Sequence, residues 1–153
     1  MIIGVLKEIH PGERRVAMAP SVAKQCLKNG DYVFLEQGAG VIANFTDDQY
    51  EDCGAEIIES AEKIWEQADV ILKIRPPEEN LETGKHEADL LRKDACLICL
   101  LNPRRNPDLL KRLAKTGGTA IAVDAIPRIS RAQSMDVLSS MANISGYRAV
   151  TEA

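Results

Sequence analysis

Aromatic side chains are scarce. Phe, Trp and Tyr make up 4% of the 153 residues, too few for the stacked platforms that hold single-stranded nucleic acids. Positive charge is not in excess either. The formal net charge is -4, which excludes a nucleic-acid partner held by phosphate neutralisation. Long hydrophobic runs are missing. The longest, ACLICLL at residues 95–101, falls well short of the roughly 18–20 apolar residues that span a bilayer. MIIGVLKEIHPGERR lacks the basic head, apolar core and small-residue cleavage site of a signal peptide. A cytoplasmic chain without direct membrane insertion is the expectation.

The chain also contains no GxGxxG, GxxxxGK[ST], HExxH or GxSxG, so no nucleotide loop, zinc helix or nucleophile elbow announces itself. QGAG at 37–40 is a tight connection after a strand, not a dinucleotide fingerprint. Cys96 and Cys99 form a CxxC, but no second pair or His pair completes a zinc set. Both lie in a continuous apolar run, where free cysteine behaves as a small hydrophobe. No metal site is expected.

What is there is globular: 45% hydrophobic and 27% charged residues. The length suits one domain or a piece of a larger protein. Apolar runs at 2–6, 32–36, 55–59, 69–74, 95–101 and 119–126 read as strands, with 95–101 expected at the centre. Between them, 21–30, 46–54, 60–68 and 106–118 read as helices. Thr46 is an N-cap, and Asn106-Pro107 with Gly117 marks a start and a stop. Residues 78–94 are polar and read as a loop with a short helix near 86–92. Strands that are apolar throughout, alternating with helices, imply the α/β class: an open parallel sheet with helices on both faces, Rossmann-like or flavodoxin-like. Ligands then belong beyond the carboxyl ends of the strands.

Past a boundary near Pro127 lies PRISRAQSMDVLSS. Ser130-x-x-Gln133 fits a capping box, so a long crossover helix is expected from about Arg131. On its wheel Val137, Leu138, Met141, Ala142, Ile144 and Ala149 share one arc. Gln133, Asp136, Ser139, Ser140, Asn143 and Tyr147 share the other. Ser and Asn are poor helix formers, and a merely solvated face favours Lys and Glu. Arg128 and Arg131 sit where the helix dipole disfavours cations, an anion-friendly arrangement. Alone, this stripe says polar ligand or partner surface. A second cluster comprises Lys7, Glu8, His10, Arg14 and Arg15 after the first strand, with Lys73 at the end of the fourth. Arg15 and Lys73 are substrate-clamp candidates if they converge. His10 is read as an unpaired loop residue, and His86 receives no role.

These stretches carry a resemblance. IGVLKE, GERRVAMAP, EQGAGVIANFTD, DVILKIRPP and above all PRISRAQSMDVLSSMANISGYRAV resemble the N-terminal portion of domain I, the NAD(H)-binding domain, of the proton-translocating NAD(P) transhydrogenase alpha subunit. The likeness covers essentially the whole chain, and the wider family includes alanine dehydrogenase. It implies an oxidoreductase that passes a hydride from NADH to NADP+ held by a partner domain, coupled to proton flow through a membrane subunit. It places Arg128, Ile129, Ser130, Arg131, Gln133, Asp136 and Ser139 at the nicotinamide, with Gln133 and Asp136 nearest the chemistry. It also implies a homodimer, peripheral to the inner membrane.

Two departures matter. The family's Rossmann fingerprint lies downstream of the region these residues match. Residues 1–126 are therefore expected as one α/β subdomain. Residues 127–153 are expected to be a loop and crossover helix toward a missing dinucleotide-binding subdomain, leaving the chain alone a poor NAD(H) binder. Alanine dehydrogenase would also need a catalytic histidine near LICLLNP, where Leu101 and Asn102 stand. An alanine-dehydrogenase-like enzyme and a non-catalytic α/β interaction module remain the alternatives.

Overall fold

The computed structural model describes residues 1–153 throughout. Six parallel strands form one sheet: β1 (Ile2–Val5), β2 (Tyr32–Glu36), β3 (Glu56–Ile58), β4 (Val70–Leu72), β7 (Cys96–Cys99) and β8 (Thr119–Ala122), in the order β3-β2-β1-β4-β7-β8. β5 (Glu79–Asn80) and β6 (Lys85–His86) form a separate antiparallel hairpin. β1 and β4 are the innermost pair. The run at 95–101 is not central: β7 lies one place in from the edge strand β8. The apolar run specified burial, and burial is shared by every strand that has neighbours on both sides.

Alternation along the strands sends side chains into two cores. On one face, Ile3, Val5, Val33 and Leu35 pack with Ala23 of α1 (Pro20–Lys28) and Tyr50 of α2 (Asp47–Glu51). On the other, Ile71, Leu97 and Cys99 pack with Ile64 and Trp65 of α3 (Ala61–Gln67) and Leu113 of α4 (Pro107–Thr116). Gly4 makes the second packing possible, since a Cβ there would meet Ile64 Cγ2 and lie 2.9 Å from Ala68 Cβ. α2 starts with a complete capping box in which Thr46 and Gln49 serve each other's backbone. α1 and α2 cover only the β1–β3 half of their face. Over β4, β7 and β8 that face is left open as a cleft.

Residues 78–94, expected as a loop with a short helix near 86–92, hold the β5–β6 hairpin and then a 3-10 turn, Glu87–Leu90, where the short helix was expected. The last helix, α5 (Val137–Glu152), begins later than the wheel suggested. Residues 130–135 form a 3-10 segment, and Ser130 makes no cap. Asp136 caps instead. Its carboxylate accepts Ser139 N–H at 3.0 Å and Ser139 Oγ–H at 2.6 Å. An ionised acceptor at a helix N-terminus outcompetes a serine hydroxyl because the dipole adds to the hydrogen bond. Nothing in α5 is fully buried. Val137, Leu138 and Met141 are half-covered, whereas Ile144, Tyr147 and Val150 are 69%, 75% and 81% exposed. The helix projects from the body.

Candidate functional site

The chain leaves β1 toward one side of the sheet and β4 toward the other. The carboxyl ends of this pair are the switch point at which open α/β sheets bind ligands. Lys73 follows β4 with a fully buried side chain. Its Nζ donates to Glu87 Oε1 at 2.7 Å and lies 3.7 Å from Glu8 Oε2. Glu87 Oε2 accepts the Glu78 N–H at 3.0 Å, and Glu8 accepts the Ile74 and Arg75 N–H groups at 2.6 and 3.2 Å. Burial pushes the Glu8 carboxyl above its ordinary range, against the attraction of Lys73.

Beside it, Glu13 is buried with five hydrogen bonds. Arg15 Nε and Nη2 fork onto its two oxygens at 2.7 and 2.6 Å. Arg75 Nε donates at 2.7 Å, and the Arg14 and Arg15 N–H groups at 3.0 Å each. The side-chain hydrogen bond from Arg15 leads in holding the Glu13 carboxyl down at about 2. Arg15 and Lys73 thus both reach the cleft at the carboxyl ends of the strands, but each arrives already engaged by acids. His10 also has a partner, correcting its reading as unpaired: Nδ1 lies 2.7 Å from Glu78 Oε1. His86 caps the 3-10 turn by accepting the Ala88 N–H.

The cleft holds about 430 Å³. Its floor is Leu72, Ile98 and Leu100 from β4 and β7 and the residues after them, its rim Arg15, and its roof Asp136, Val137, Ser140 and Met141. Cys99, next to Ile98, turns its thiol into the opposite core, where burial pushes it up to about 12 and leaves it unreactive near neutrality. Past the end of β7, Asn102 adopts φ 48 and donates its N–H to Asp124 Oδ2 at 2.9 Å. No group of three or more His, Cys, Asp or Glu is placed to hold a metal ion. No helix is long and apolar enough to cross a membrane.

On the outer side of the same segment is a second, more polar concavity of about 320 Å³. It is lined by Arg128, Ile129, Ser130, Gln133, Asp136 and Ser139. The 3-10 turn makes this possible: it curls 130–135 around buried Ala132 and leaves Ser130, Arg131 and Gln133 exposed. Of the residues singled out in the motif, Arg131 alone does not line it. Hydrogen bonds from Ser139 hold the Asp136 carboxyl below its usual range, so it is ionised and fixed in place. Asp136 borders both hollows.

Glu8, Glu13 and Glu87 were not identified from the sequence as partners of the cations. The one local signal was an acid two residues before Arg15.

The family model for the alanine dehydrogenase/PNT N-terminal domain matches residues 4–145. The chain belongs to this family. Within the alanine dehydrogenase/PNT family it is 47% identical to the NAD(P) transhydrogenase subunit alpha of Cereibacter sphaeroides, over all of this chain and 28% of that protein. It is 44% identical to the NAD(P) transhydrogenase subunit alpha of Haemophilus influenzae, again over all of this chain and 28% of that protein. Alanine dehydrogenase of Bacillus subtilis is more distant, at 34% identity over 97% of this chain and 37% of that protein. The transhydrogenase of Sinorhizobium meliloti superposes with a TM-score of 0.89 at 38% identity, covering 100% of this chain and 44% of its own. A solved L-alanine dehydrogenase gives 0.72 at 35% identity, over 81% of this chain and 32% of its own. The chain therefore spans less than half the length of these relatives.

Proposed function

We propose that the chain is the N-terminal portion of the NAD(H)-binding component of a proton-translocating NAD(P) transhydrogenase, and that residues 128–139 form the wall facing the nicotinamide. The observation that carries this is the concavity in which Arg128, Ile129, Ser130, Gln133, Asp136 and Ser139 meet. Arg131 joins them on the motif alone.

The residues fit a nicotinamide carboxamide. Gln133 offers an amide, Arg128 donors, Asp136 an ionised acceptor held in one place, and Ser139 a hydroxyl. When bound, the nicotinamide supplies the hydride. Direct transfer between two such rings needs contact and exclusion of water, with no acid or base. Gln133 and Asp136 would orient the ring, and the NADP(H) would reside on a partner domain. A membrane subunit would couple the transfer to protons, with this component peripheral to the inner membrane on its cytoplasmic side and present as a homodimer. Residues 1–126 would be one unit, and 127–153 the link to a dinucleotide-binding unit. Alanine oxidation is disfavoured because Leu101 and Asn102 stand where a proton-transfer group is needed.

In a complete transhydrogenase, Gln133→Ala should slow hydride transfer far more than it weakens NADH binding. Equal losses in both would contradict the positioning role. The 153-residue chain by itself should show no low-micromolar NADH binding by calorimetry, because the proposed wall is one side of the site.

A further inference from the structure

The turn after β7 carries Arg104 and Arg105, which the function proposed above leaves without a role. We propose that these two arginines are a docking surface for an acidic protein face, that of the domain holding NADP(H). The inference rests on the nicotinamide-wall reading, under which that domain meets the same edge of the sheet.

Charge is divided across the molecule. Residues 46–69 hold nine Asp or Glu and one Lys, whereas residues 100–136 hold three Asp and seven Lys or Arg. β3 and β8 are the opposite edges of the sheet. A chain of net charge -4 is therefore basic at its β7–β8 end. There the acids are engaged within the chain. Asp108 pairs with Lys111 at 2.9 Å, Asp124 accepts the Asn102 N–H at 2.9 Å, and Asp136 accepts from Ser139 at 3.0 and 2.6 Å. Arg112 of α4 is likewise forked onto Asp89, with both bonds at 2.6 Å. Arg104 and Arg105 are exposed and make no ion pair, and exposed Arg131 in the loop after β8 adds to their field.

The turn is braced. The Arg105 N–H donates to Asn102 O at 2.9 Å, and Asn106 Nδ2 donates to Leu101 O at 2.8 Å. The Asn102–Asp124 bond ties it to the loop after β8. Asn102 and Asn106 line one hollow with Leu138, so the turn borders the segment that carries the candidate site. Residues 100–106 and 123–136 hold four Arg and no Lys, and interfaces favour Arg over Lys. Met135, 54% exposed, adds the flexible apolar surface that such contacts use. Direct hydride transfer brings the partner to contact distance of this wall. A neutral face would strip water from the arginines without replacing it, and an acidic one compensates them. A second copy could offer its own acidic β3 edge, but that contact is heterologous and would grow filaments rather than close.

Association of the complete NAD(H)-binding component with the separately produced NADP(H)-binding domain, followed by surface plasmon resonance, tests this. The on-rate of the unaltered component should fall steeply as salt rises. Arg104→Gln with Arg105→Gln should lower the low-salt on-rate by roughly tenfold and flatten the salt dependence, with NADH affinity unchanged. Lysine at both positions should restore the on-rate but not the residence time, because steering needs charge and the bound state needs forks. An on-rate insensitive to salt or to the glutamine replacements overturns the inference. Loss of NADH affinity overturns it too, by assigning the arginines to the cofactor. So does loss of binding to phosphatidylglycerol vesicles with domain association intact, which assigns them to the membrane. Salt-sensitive self-association that the replacements abolish overturns it in favour of a second copy. Failure of the Gln133→Ala experiment with association intact removes the nicotinamide wall and leaves the docking surface. Absence of any association by the unaltered component overturns both.

Discussion

Replacing Glu13 by Gln keeps the shape of the side chain and removes its charge. In the fold this carboxyl sits at about 2, against an ordinary 4.5. That gap corresponds to about 3 kcal/mol of preference for the ionised form. The sign follows from the depression. The contribution is present above the ordinary value and is lost as pH falls toward the depressed one. Glu8 acts oppositely, because burial raises it: its ionisation opposes folding as pH rises through its folded value. Absolute stability against pH mixes the two, and the difference between wild type and Glu13→Gln isolates Glu13. Trp65, the sole tryptophan and fully buried, reports unfolding by fluorescence. In urea titrations the variant should be less stable by about 3 kcal/mol near about pH 7, with the gap closing toward about pH 2. A gap below about 1 kcal/mol, or one constant across that range, would refute the claim that ionised Glu13 is the keystone of the arginine fork.

Three further outcomes are expected. Lys73→Met should cost about 3–5 kcal/mol in the same titration, because it leaves the Glu8 and Glu87 carboxylates buried without their cation. Gly4→Ala should cost about 1–3 kcal/mol, read as a lowered thermal midpoint, since α3 must move off the sheet to admit the methyl. Asp136→Ala should fray the first turn of α5, seen as lost helical circular dichroism with the sheet signal intact, while Asp136→Asn should retain most of it.

The strands were legible because parallel strands covered by other elements are apolar runs, and IIGV and CLIC are short, clean examples; TAIA is as apolar although β8 is an exposed edge strand. Their order was not, because an apolar run records burial and not which neighbour provides it. The hairpin at 79–86 escaped for a different reason. Two-residue ladders are too short to show alternation, and only the turn around Thr83-Gly84, with Gly84 at φ +66, hinted at it. The start of α5 was misplaced because two capping signatures compete within ten residues. Which hydroxyl or carboxylate wins depends on local backbone geometry. For the candidate site, one contiguous motif supplies every residue of the outer concavity, so their grouping was legible without any long-range contact. The cations could be found as well, but not their state. Glu8 and Lys73 are far apart in the chain, as are His10 and Glu78, and single-sequence patterns do not register such pairings.

The strand order has a consequence for how the molecule is made. Of the strands in this sheet β1 is the earliest in the chain, and it is one of the two innermost, flanked by β2 and β4. During translation it gains its first neighbour only after Tyr32–Glu36 has emerged, and its second only after Val70–Leu72. Until then Ile3 and Val5 border an open edge of unpaired backbone. Closing these long loops before any burial rewards them makes assembly slow and exposes the nascent chain to association. The edge strand β8 is the last of the sheet to be added, one helix after its neighbour β7. The vulnerable interval of this sheet is thus the first half of its synthesis, before β4 seals the centre.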